Sequence, residues 1–137
     1  MSLFKVFDIA GSGMSAQMLR LNTVSSNLAN SQTVSATEEG AYRSRHPVFQ
    51  TMLDEANNKD GSKVKVTEII ESEASIPLQY MPNHPLANKD GYVYGSNVNA
   101  VEEMTNMMSA SRSYQNNTEM MNTSKELLLR TLQLGRG

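Results

Sequence analysis

The sequence predicts an α+β chain in which long N- and C-terminal helices pair as a coiled-coil-like hairpin, with a small β-rich segment between them. Three observations carry this. A seam spaced alternately four and three runs through residues 97–135, and a second with the same beat runs through 3–30. Between them the period drops to about two, the signal for strands. The chain therefore divides into an N-terminal helix at 1–30, a linker and small β-rich domain at 31–96, and a C-terminal helix at 97–137.

The first helix carries its seam in Leu3, Phe7, Ala10, Met14, Gln17, Leu21, Val24 and Leu28. Gly11 and Gly13 each weaken it by roughly 1 kcal/mol against alanine, so in isolation it is marginal in water. Asn30 before Ser31 marks the stop, since asparagine tolerates the left-handed cap conformation. Residues 31–41, with Ser, Thr and Glu and few apolar groups, read as a flexible linker.

Strands follow. Tyr42 to Gln50 is one, with Pro47 demoting it to an edge or splitting it. Val64 and Val66 alternate with Lys63 and Lys65 and run on to Ile69 and Ile70. Ile76 to Tyr80 and Gly91 to Tyr94 complete a small sheet, separated by a loop with Pro82, Pro85 and the turn pair Asp90-Gly91.

The last helix is the strongest element. Its seam is Ala100, Met104, Met107, Ser111, Tyr114, Thr118, Met121, Lys125, Leu128 and Leu132. Asn99 caps the start with Glu102 three residues on; Glu102 and Glu103 suit the positive end of the helix dipole, and Arg130 and Arg136 the negative end. Ser111, Thr118 and Lys125 make part of the seam polar, so the helix is strong while its pairing alone is weak.

Composition narrows the function. With 39% hydrophobic and 6% aromatic residues in 137, the core must be thin or shared. A net charge of −2, with no cluster of Lys and Arg, argues against nucleic acid as a partner. The absence of cysteine excludes a disulfide scaffold or thiolate zinc site. No run of eighteen apolar residues encodes direct membrane insertion, and Lys5, Asp8 and the glycines break up any secretory leader.

Candidate chemistry is sparse. His46 and His84 do not sit at metal-ligand spacing. Asp60-Gly61 and Asp90-Gly91 lack the first ligand and the bidentate glutamate of a calcium loop and read as turns. Gly11-Ser12-Gly13 lacks the strand and the further glycine of a dinucleotide loop. The reading is of no catalytic residue, no cofactor and no metal site. Met104, Met107, Met108, Met120 and Met121 fit either core filling or an adaptable interface that packs against non-identical neighbours.

Three stretches then sharpen the reading. Val24-Ser25-Ser26-Asn27-Leu28-Ala29-Asn30 resembles the N-terminal motif of bacterial flagellar rod and hook axial proteins. Ala110-Ser111-Arg112-Ser113-Tyr114-Gln115-Asn116-Asn117, with Leu129-Arg130-Thr131-Leu132, resembles their C-terminal helix. Phe7-Asp8-Ile9-Ala10-Gly11-Ser12 and His84-Pro85-Leu86-Ala87-Asn88-Lys89-Asp90-Gly91-Tyr92-Val93 before Asn97-Val98-Asn99, in so short a chain, are similar to a proximal-rod member. Residues 51–63 match no motif.

The resemblance implies a structural subunit of the proximal rod of the basal body, part of the torque-transmitting drive shaft and export channel. It implies an inner layer of terminal helices from many subunits, with the β-rich segment outside. The implied partners are other flagellar rod proteins, copies of itself and the flagellar type III export apparatus. The implied location is the periplasmic rod, reached unfolded and without a cleaved signal peptide. The subunit-interface residues expected on this reading are Leu3, Phe7, Met14, Leu21, Val24, Leu28, Met104, Met107, Tyr114, Met121, Leu128 and Leu132. A soluble helical-hairpin adaptor for a single partner would use the same seams. A small hydrolase would need converging titratable groups, whereas Glu68, Glu71 and Glu73 read as a solvated strand end.

Overall fold

The computed structural model describes residues 3–52 and 62–135, in the order α1 (Leu3–Ala29), β1 (Arg45–Met52), β2 (Lys63–Glu71), β3 (Leu78–Tyr80), β4 (Tyr92–Tyr94) and α2 (Ala100–Leu134). The α+β class and the helical hairpin are as the sequence predicts. The helices run antiparallel: Asn27, near the end of α1, meets Glu103 at the start of α2, while Gly13 approaches Asn117 and Gly11 approaches Met121. The expected cap on α2 is present, with Asn99 accepting from the backbone N–H groups of Val101 and Glu102. Arg136 lies outside the described residues.

β1 and β2 form an antiparallel ladder laid along α1. Arg45, at one end, sits against Asn27; at the other, Val64 N–H donates to Ser12 Oγ and Lys63 meets Asp8 at 2.9 Å. The lengths suit each other, since seven strand steps span ~23 Å and the nineteen helix steps from Asp8 to Asn27 ~28 Å. Pro47 lies inside β1, opposite Ile69. A two-stranded ladder has only edge strands, so the missing N–H costs no pairing in the middle of a sheet. The ladder shifts register between Val48 and Phe49.

The expected single small sheet is instead two separate ladders, β1–β2 and β3–β4. Residues 31–41 are also not the free linker that their composition suggests. Ser35 N–H donates to Tyr94 O at 2.8 Å and Tyr94 N–H returns a bond of 3.0 Å to Ser35 O, so the segment docks on β4 as an isolated bridge. Backbone hydrogen bonding, invisible in composition, holds it there. α1 stops where Asn30 predicts, but without a left-handed residue, because the only positive φ among the described residues belongs to Gly91. Asn30 ends the helix by donating from its side chain to Ser26 O at 2.8 Å.

The core is thin. Its buried apolar residues among those described are Ala10, Ala16, Val24, Ala41, Val93 and Ala110, none larger than valine. Polar residues share the interior: Asn27 is 0% and Glu103 2% exposed.

Candidate assembly surface

The helix pair presents the candidate surface, and its register is defined by particular contacts. Counting by seven from Asn27 opposite Glu103, Gly13 falls opposite Asn117, which agrees with their close approach. The same register sets Arg20 against Ala110 and Val6 against Ser124. Glu103, Ala110 and Ser124 are all buried, so these positions form one half of the contact stripe on α2. Met107, Tyr114, Met121 and Leu128, each half-buried, form the other half, as the seam reading expects.

Of the remaining expected seam positions on α2, Ala100, Ser111 and Thr118 are half-buried, Leu132 is exposed, and Met104 and Lys125 are displaced by one residue. Met104 is 55% exposed and Lys125 is exposed, whereas their neighbours Glu103 and Ser124 are buried. The cause is physical: small and polar side chains let the backbones approach, but they carry no hydropathy signal. On α1, Val24 is buried, while Phe7, Met14, Leu21 and Leu28 are half-buried at the flank of the stripe. Met14 Sδ lies 3.9 Å from Thr118 Oγ1 there. The side chain of Leu3 lies outside the described residues.

Asn27 is the junction of four segments. Its Nδ2 donates to Glu103 Oε2 at 2.9 Å and to Arg45 O at 2.8 Å. Its Oδ1 accepts from Arg45 N–H at 2.9 Å and from Tyr42 Oη at 3.0 Å. Two donors and two lone pairs are the whole capacity of an amide, so this buried group is fully satisfied. The hydropathy seam contains neither Asn27 nor Glu103; the motif around Asn27 is the sequence signal for the first.

Beyond the hairpin, apolar surface is left uncovered. The register places residue 127 opposite Leu3, so α2 runs on for nearly two turns with no described α1 residue beside it. Leu127, Leu129, Leu132 and Leu134 there are 52%, 50%, 57% and 83% exposed, and Phe4 on α1 is 72% exposed. A helix end apolar on several sides and left exposed is a candidate contact surface. At the other end, Val101, Met104 and Met108 form a stripe turned away from α1 and are 74%, 55% and 63% exposed.

Two grooves beside α1 bring together no nucleophile and base among the described residues. One is lined by Ser12, Ser15, Met18, Leu19, Val64 and Val66, the other by Arg20, Val24, Arg45, His46, Phe49 and Asn106. His46 Nε2 lies 3.3 Å from the side-chain Oγ of Ser44, and His84 Nδ1 accepts from the backbone N–H of Leu86, so both rings make contacts local in sequence. Among the described residues no helix is long and apolar enough to cross a membrane.

Comparison with known proteins agrees with this architecture. Residues 7–37 match the family model "Flagella basal body rod protein", and residues 89–134 match "Flagellar basal body rod FlgEFG protein C-terminal". The chain is 49% identical over 135 residues to the flagellar basal-body rod protein FlgC of Salmonella typhimurium, covering 98% of this chain and 99% of that one. FlgC of Escherichia coli O6:H1 is 48% identical over the same shares, and FlgC of Borreliella burgdorferi is 34% identical across the whole of both chains.

Proposed function

Because this chain belongs to the FlgC family of flagellar basal-body rod proteins, and is thus a structural subunit of the rod and not an enzyme, we propose that it builds the proximal rod. In this reading it packs against copies of itself and other rod proteins, transmits torque across the periplasm and lines part of the export channel. It reaches that place through the flagellar type III apparatus, unfolded and without a cleaved signal peptide. A thin core suits such a route, since a chain stabilised mainly by its neighbours resists unfolding less before assembly.

The observation that carries the proposal is the exposed leucine end of α2. Covering Leu127, Leu129, Leu132 and Leu134 is worth roughly 4 to 7 kcal/mol at ~1.5–3 kcal/mol per fully buried side chain. Association costs about as much or more, so a lasting contact also needs surface elsewhere. The stripe of Val101, Met104 and Met108 supplies it, and methionine adapts to non-identical neighbours. Phe7, Met14, Leu21 and Leu28 on the flank of α1 complete the proposed interface, with Leu3, Val24, Met107, Tyr114, Met121 and Leu128 joining it if the hairpin reseats during assembly.

Leu132→Asp tests this more cleanly than Leu128→Asp, because Leu128 is half-buried within the hairpin and Leu132 is already exposed. The purified variant should keep the circular dichroism of the parent. Expressed in Salmonella lacking its own FlgC, it should be exported yet fail to restore motility, which the parent chain restores. Motility equal to the parent's would overturn the proposal.

A further inference from the structure

Asn27 and Glu103 hold a buried polar contact in a seam whose other layers discriminate poorly between registers. On α2 the positions at intervals of seven are Glu103, Ala110, Asn117 and Ser124; on α1 they are Val6, Gly13, Arg20 and Asn27. Sliding α2 by seven residues would exchange Ala110, Asn117 and Ser124 for one another, small or polar for small or polar. No large apolar side chain in these layers would clash or leave a cavity. Arg20 Nη2, which donates to Asn106 Oδ1 at 3.0 Å across the same helices, would meet Ser113 or Asn99 after the slide, and either side chain can accept. The buried layer with no replacement after the slide is Glu103 with Asn27.

We propose that the Asn27–Glu103 contact is the register determinant of the helical hairpin. Hydrophobic burial in a stripe of Ala, Gly and Ser, flanked by half-buried Met107, Tyr114, Met121 and Leu128 that a slide of seven exchanges for one another, gives attraction with little choice between registers. A buried carboxylate moved from its donor gives the choice, because a buried charge without a hydrogen bond is strongly disfavoured. Asn27 also binds both backbone groups of Arg45, so the contact ties α2 to the seat of β1 on α1. A single side chain therefore sets two alignments. The consequence for assembly rests on the rod-subunit reading: a slide of seven residues moves the leucine end by ~10 Å, two turns of helix. The register claim itself rests on this chain alone, and the test is made on the isolated chain so that the two can fail separately.

The chain has no cysteine, so engineered pairs report register without background. G13C with N117C reads the observed register; G13C with A110C and G13C with S124C read the two slides by seven. In the chain with Glu103 intact, mild oxidation should join only the first pair. Glu103→Gln keeps an acceptor for Asn27 Nδ2 and should behave in the same way. Glu103→Leu removes the polar contact while adding apolar area, and should preserve helix content by circular dichroism while spreading the cross-link over the shifted pairs. A Glu103→Leu chain that still forms only the G13C–N117C link would overturn the proposal. So would loss of helix in that variant, which would make Glu103 a source of stability and not of register, or failure of the first pair to join in the chain with Glu103 intact.

Discussion

Gly13 lies so close to Asn117 that a Cβ placed on it would fall 2.8 Å from the Asn117 amide nitrogen, whereas a Cβ on Gly11 would meet nothing nearer than Met121 Cε at 3.8 Å. The two glycines, equal in their cost to an isolated helix, therefore differ in the hairpin. Gly11→Ala should raise stability by about 1 kcal/mol, the helix-propensity gain. Gly13→Ala should gain less or nothing, because the Asn117 side chain must move. Chemical denaturation of the two single variants and of Gly13→Ala in an Asn117→Ala background checks this; the propensity gain at 13 should return once Asn117 is shortened.

Gly91 is the position where backbone conformation alone requires glycine. Its φ is +82°, and a Cβ there would lie 2.9 Å from Tyr80 Cε2 and 3.3 Å from the backbone of Pro82. Gly91→Ala should cost on the order of 1–3 kcal/mol in the β3–β4 hairpin. The Tyr80–Tyr92 ring pair, with centroids 5.2 Å apart, provides a local readout. Near-ultraviolet circular dichroism should change while the helical signal at 222 nm, a wavelength characteristic of helices, stays within roughly the effect of a surface substitution.

The pieces of this fold that announce themselves in sequence are those governed by local rules. Asn99 with Glu102 marks the start of α2, Asn30 the end of α1, and the alternation of Lys63, Val64, Lys65 and Val66 the second strand. What hydropathy could not find were contacts made by small or polar residues: Glu103 and Ser124, which are buried where Met104 and Lys125 are exposed, and Ala110, buried beside half-buried Ser111. The docking of Ser35 on Tyr94 was hidden for a related reason, because backbone groups pair without regard to the side chains that composition counts. The proposed interface was suggested by the family resemblance. The apolar surface at Leu132 and Met104 assigned to it is visible only once the register shows which residues the hairpin leaves uncovered.

Asn97 joins the base of the β1–β2 ladder to the entry of α2. Its Oδ1 accepts from Ser44 N–H at 2.7 Å, and its Nδ2 donates to Ala74 O at 3.0 Å. Asn97→Ala removes both, and with them the longer Nδ2 bond to Ser72 O at 3.4 Å, and should cost about 1–3 kcal/mol. Asn97→Asp keeps the acceptor but turns a carboxylate oxygen towards the Ala74 carbonyl, so it should be no better than alanine despite its shape. Thermal melts of the two variants decide the point: recovery by Asp would mean that only the Ser44 bond matters.

Met104 and Met108 separate adaptability from simple hydrophobicity. Both are more than half exposed, so in the isolated chain Met→Leu or Met→Glu at either position should change stability by no more than about 0.5 kcal/mol. In the rod the outcomes should diverge. Glu at both positions places two charges in a contact surface, where each costs several kcal/mol unless paired, and motility should be lost. Leu at both keeps the apolar area but gives up the unbranched, flexible thioether. If these side chains meet one kind of neighbour in one geometry, Leu should serve as well as Met. If they meet non-identical neighbours, the Leu pair should assemble with some and not others, leaving a partial, temperature-sensitive motility in Salmonella lacking its own FlgC. The adaptable-interface reading predicts the second result, and full motility of the Leu pair at every temperature would remove it.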